Sequence, residues 1–140
     1  MASDPRTLVE RFYGEVWNLA DEAVAREILH PALEFRGSLG LELKGIDEFF
    51  RYVRELHSAL AEYRCIIDEL ITTESRAAAR MTFTGTHRAA WFGVPATGRV
   101  ITWAGAAFFT IAQGQINRVW VLGDIDAIKR QLGTDAGGSY

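Results

Sequence analysis

The sequence predicts an α+β domain in which three N-terminal helices and a short C-terminal helix pack on a curved antiparallel β-sheet. Three observations predict it. Apolar residues recur at helical spacing through the first sixty positions. Beyond Tyr63 the period falls to two, in runs rich in β-branched and aromatic residues. The connections between those runs are short, which forces antiparallel neighbours. Helices followed by strands, in that order, cover one face of a sheet and leave the concave side as the place for a small molecule.

Asp4-Pro5 marks the first helix, with the acid as N-cap and Pro at the first helical position. Leu8, Phe12, Val16 and Leu19 follow, and Val9, Tyr13 and Trp17 widen the stripe, so this helix is long and buries one side. A second helix spans about Asp21 to Leu29 through Val24, Ile28 and Leu29, and His30-Pro31 stops it. Leu33 to Arg36 alternates as a strand before the loop at residues 37–40. A third helix begins after Gly45, with Asp47 and Glu48 at its positive end and Ile46, Phe49, Phe50, Val53 and Leu60 facing inward. Four strands follow, Tyr63 to Thr72, Arg76 to His87, Arg99 to Ala112 and Ile116 to Gly123, separated by residues of turn chemistry. Ile125, Ile128 and Leu132 make a C-terminal helix that stops at Gly133, and residues 134–140 read as a frayed tail on a single domain covering 1–140.

Composition narrows the function classes. With a net charge of -3 and no clustered Lys/Arg stripe, nothing marks a nucleic-acid surface. The uncharged stretch from Val100 to Asn117 is broken by Thr102, Gly105, Thr110 and Gln113, too often for a membrane span. No secretory pattern precedes the first helix, and the single Cys65 reads as a small buried hydrophobe, so a cytoplasmic location is expected. Three scattered His and one Cys lack metal-ligand spacing, and no phosphate-cradling glycine loop is present. The expectation is therefore a site with no metal and no cofactor.

Asp124 ends an apolar strand on the same face as Trp120 and Leu122. Burial beside them would raise its pKa toward the range of a general base or acid; equally, Asp124 can cap the helix that follows. His87 ends its strand on the face of Met81 and Phe83, where it would orient a substrate oxygen or exchange a proton, or else fix the following loop. Arg36 and Arg80 would hold an oxyanion if they face the cavity and be solvated if they face outward. Tyr13, Trp17, Trp91, Trp120 and Phe108 are the candidate aromatic walls of a substrate pocket. Trp91-Phe92 lies at a hairpin tip, where large apolar residues call for a partner chain, a ligand or a lid.

The run Thr84-Gly85-Thr86-His87 through Trp91-Phe92-Gly93-Val94-Pro95-Ala96-Thr97-Gly98-Arg99 resembles the G-T-H, G-x-P-x-T-G signature of SnoaL-like polyketide cyclases of the nuclear transport factor 2-like superfamily. Phe12-Tyr13 with Val16-Trp17-Asn18, the Gly114-x-Ile116 turn, and Trp120-x-x-x-Asp124 followed by Gln131-Leu132-Gly133 agree with it. The resemblance covers nearly the whole chain. It implies a cone-shaped fold, a homodimer, and acid/base chemistry by Asp124 on a small hydrophobic carbonyl compound, with cyclisation, isomerisation, epoxide or ester opening and non-catalytic binding all represented on that fold. Those cyclases pair the acid with a histidine on the neighbouring strand, and residues 99–112 contain none.

Overall fold

A computed structural model describes residues 4–38 and 40–133. The first helix, α1 (Pro5–Arg11), is capped as expected: Asp4 accepts a hydrogen bond from the Thr7 amide at 2.8 Å. It continues into a π-helical turn, Phe12–Trp17, closed by the i→i+5 bond from Asn18 N–H to Tyr13 O at 2.9 Å. Asn18 then ties this turn to the sheet, because its amide both accepts from Cys65 N–H (2.7 Å) and donates to Cys65 O (3.1 Å). Helix α2 (Glu22–Ile28) passes directly into strand β1 (Leu29–Arg36), and β2 (Glu42–Lys44) leads into α3 (Gly45–Ala59). The long strands are β3 (Leu60–Thr72), β4 (Arg76–His87), β5 (Val100–Ala112) and β6 (Gln115–Gly123), followed by α4 (Ile125–Leu132).

These strands form one open, curved sheet in the order β2-β1-β6-β5-β4-β3. Every pairing is antiparallel but one: β1 runs parallel to β6, with Phe35 opposite Val119 and Arg36 opposite Trp120. The sequence reading did not foresee that pair or the short edge strand β2. A parallel contact between strands so far apart in the chain leaves no turn signature.

Period two sorts the sheet into faces. Met81, Phe83, Ile101, Trp103, Ala107, Phe109, Val119 and Val121 are buried against the helices. The helices supply Phe12, Val16, Phe49, Phe50 and Val53 to the same core. The opposite face carries Phe108, Trp120 and Leu122 at 48, 40 and 53% exposure. Helix α4 docks on the end of β5 through Gln131, whose side chain accepts from Thr102 N–H (2.9 Å) and donates to Thr102 O (2.7 Å), as a strand neighbour would. Gly133, at φ +86°, closes α4 in the left-handed conformation that its sequence position predicted. The proposed frayed tail, residues 134–140, lies outside the described residues.

Candidate functional site: an aromatic cavity

Between the buried sheet face and the helices lies a cavity of about 570 Å³, counted out to its mouth. This aromatic slot is lined mostly by apolar side chains. Tyr13 and Trp17 of the π-helical turn form one wall, and Tyr52 and Leu56 of α3 extend it. Tyr63, Phe83 and Trp103 contribute the sheet side, with Phe35 and Val121 from β1 and β6. Ser38, Ile125 and Ile128 complete the enclosure together with Trp91 and Phe92 of the β4–β5 loop.

Trp17 is the hub of the helix side, with ring centres of Phe49, Tyr52 and Tyr63 at 5.6–5.8 Å. Its carbonyl, unpartnered because the helix ends at this residue, accepts from His57 Nε2–H at 2.5 Å. On the sheet side Phe83 stacks on Trp103 (5.2 Å, 18° between planes), and Trp91 packs against Trp103 at 5.5 Å. The Phe83 ring occupies the space over Gly105, where a Cβ would sit 2.6 Å from it. Glycine there lets the stack lie flat on the strand.

The polar groups of this wall are hydroxyls and indole N–H groups, with no carboxylate or imidazole among the lining residues. Burial holds the Tyr13 and Tyr63 phenols well above their ordinary value of 10, and the nearby Cys65 adds to both. Tyr13 and Tyr52 further raise Tyr63, which brings the three phenols into one neighbourhood. Tyr52 is likewise raised by burial, then by Glu55. All three are neutral hydrogen-bond donors at neutral pH, and the Tyr13 hydroxyl is buried with no partner.

Three of the candidate binding residues, Tyr13, Trp17 and Trp91, stand in this wall. The others are elsewhere. Trp120 and Phe108 face away from it, 6.1 Å apart on the outer side of the sheet. Arg36 lies over the Trp120 ring at 4.8 Å and donates to Val121 O at 2.5 Å. Arg80 is exposed, paired with Glu69 (3.4 Å) and Asp68 (3.9 Å). Asp124 shares the exposure of Leu122, and its Oδ1 accepts from Ala127 N–H at 3.0 Å as the N-cap of α4. The expectation of a desolvated acid beside Trp120 is corrected. The parity was right, but the face carrying Trp120 and Leu122 is the outer one, because the smaller Val119 and Val121 pack inward.

His87 is fully buried at the end of β4. Its Nδ1 accepts from Thr97 N–H at 3.2 Å and pairs with the Thr97 hydroxyl at 3.0 Å, fixing the loop as one of its two foreseen roles required. The phenols Tyr52 and Tyr63 and the Phe83–Trp103 stack were not singled out from the sequence. The alternation of β3 to β5 carried the signal, since Tyr63, Phe83 and Trp103 share the parity of the buried strand positions.

No group of three or more His, Cys, Asp or Glu among the described residues is placed to hold a metal ion. No described helix is long and apolar enough to cross a membrane.

An open curved sheet wrapped on helices around an aromatic cavity defines an α+β cone. The chain belongs to the SnoaL-like polyketide cyclase family, which matches residues 7–132. It is similar in structure to TsrD from Streptomyces laurentii, with 28% identity, a TM-score of 0.81 and coverage of 92% of this chain and 94% of that one. IdmH from Streptomyces antibioticus superposes with a TM-score of 0.81 at 20% identity, over 92% of this chain and 98% of that one. A SnoaL-like polyketide cyclase from Agrobacterium tumefaciens gives a TM-score of 0.76 at 23% identity, over 91% and 97%. No curated protein sequence matches the chain.

Proposed function

We propose that this protein binds a flat, apolar carbonyl compound in the aromatic slot and promotes its cyclisation or isomerisation without a cofactor. The observation that carries the reading is the wall itself, aromatic and aliphatic side chains whose polar groups are neutral hydroxyls and indole N–H groups. Such donors gain strength as a carbonyl oxygen becomes an enolate, so they favour the charged intermediate over the ground state. The raised pKa of Tyr63 and Tyr13 suits this role, because the phenols stay protonated and do not add a competing negative charge. Asp124 directly precedes the wall residue Ile125, but its carboxylate is exposed and caps α4, so proton removal is left to solvent and the wall acts by stabilising the enolate. Arg36 and Arg80 take no part in this reading. The free Cys65 thiol agrees with a reducing cytoplasm.

The test is hydrogen–deuterium exchange at the α-carbon of 2-tetralone in D2O, followed by NMR. Wild-type protein is expected to accelerate exchange above buffer, Tyr63→Phe to slow it by roughly tenfold or more, and Asp124→Asn to leave it unchanged. A second reading, a non-catalytic carrier, is favoured by the lack of any carboxylate or imidazole in the wall. Binding of 2-tetralone with exchange at the buffer rate would select the carrier. The exposed Phe108, Trp120 and Leu122 on the outer sheet face support a homodimer.

A further inference from the structure

An unused donor lies beside Trp91, one of the slot's lining residues. Thr97 N–H can only donate, so the His87 Nδ1 that accepts it carries no proton, and the proton of the neutral ring is on Nε2. That Nε2 is buried and has no partner. Trp91 touches both sides of the wall: its ring is 5.5 Å from Trp103, which lines the slot, and 6.5 Å from His87, which does not.

Trp91 also begins a short turn in the β4–β5 loop. The Trp91–Val94 turn is closed on itself by reciprocal backbone bonds of 3.0 and 2.9 Å, with Phe92 and Gly93 at φ +51° and +74°. Its anchors are at the loop ends, where Gly98 N–H bonds to His87 O and Thr97 bonds to the His87 ring. Its two aromatic side chains are only partly buried, although they cover a cavity.

We infer that the Trp91–Val94 turn is a gate, and that its displacement joins to the slot a subsite in which His87 Nε2–H donates to an acceptor oxygen of the bound molecule. This rests on the small-molecule reading above and extends it to a ligand with a carbonyl or phenolic oxygen at the end that enters first. The Thr97 contacts serve the subsite in two ways: they hold the imidazole in the tautomer that presents Nε2–H, and they keep the ring in place while the gate moves.

The experiment uses the full-length protein labelled with nitrogen-15, titrated with 9-fluorenone and, separately, with fluorene, which has the same shape without the oxygen. The readouts are the His87 Nε2 and Trp91 indole resonances. Fluorenone is expected to shift both, and fluorene to shift Trp91 alone. His87→Phe is expected to reduce fluorenone affinity by about tenfold, to that of fluorene, consistent with the loss of one buried hydrogen bond. If fluorenone binds but leaves His87 Nε2 unmoved, the subsite is overturned while the slot stands. If it binds without moving Trp91, the gate is overturned. If neither compound binds, the small-molecule reading fails and takes the subsite with it. Because the wild-type resonances decide the matter, a poorly folded His87→Phe would not.

Discussion

Asp124 accepts the third amide of α4, and that one contact separates two kinds of experiment. Asparagine caps helices about as well as aspartate, so Asp124→Asn removes the charge and keeps the cap. Asp124→Ala removes both, and is expected to lower stability by about 0.5–2 kcal/mol in urea denaturation while leaving the affinity for 2-tetralone unchanged. The buried phenols give a second expectation. Tyr13 and Tyr63 ionise well above 10 in the fold but near 10 once unfolded, so the unfolded chain gives up these protons first. Their contribution to stability is full below about pH 10 and falls as pH rises above it. Denaturation midpoints measured from pH 8 to 11 should decline at the upper end, and Tyr63→Phe should flatten part of the decline. At this scale the sequence is least informative. Asp124 as base and Asp124 as cap require the same residue at the same strand end, and only the direction of the carboxylate tells them apart.

Among the elements, β5 shows how a single position shapes the slot. Gly105 has the Phe83 ring where a side chain would stand, with Leu122 O on its other side at 3.2 Å from the same Cβ position. Gly105→Ala must displace the ring from its stack on Trp103, and is expected to cost about 1–3 kcal/mol and to weaken 9-fluorenone binding measured by tryptophan fluorescence. Helices and strands were legible because each carries a periodic apolar signal, and α1, α3 and the four long strands fall close to where that signal puts them. The π turn was not. Phe12, Tyr13, Val16 and Trp17 fit an α-helical stripe as well as a π-helical one, and the tertiary tie of Asn18 to Cys65 at the end of the turn has no local signature in the sequence. Nor was the strand alternation enough to say which face is inside, because β6 puts its largest residue, Trp120, on the outside.

Across the whole molecule, the outer sheet face is the feature with an unmet demand. Phe108, Trp120 and Leu122 stand side by side on β5 and β6, since Phe108 pairs with Trp120 and Ala106 with Leu122. A second copy covering this face would bury them, and sedimentation of wild type is expected to give a dimer that Leu122→Arg converts to monomer without loss of helical circular dichroism. The parallel pairing of β1 with β6 has a different consequence. Arg36 and Val121, joined by a hydrogen bond, stand 85 positions apart, and β1 has no long strand beside it except the last one made. While the chain is being synthesised, Trp17, Phe35 and Phe49 can pack on one another early, but the edge of β1 that pairs with β6 stays open until residues 115–123 have left the ribosome. The sheet is thus completed from its middle, by its final strand, which ties the folding of the leading segment to the far end of the chain.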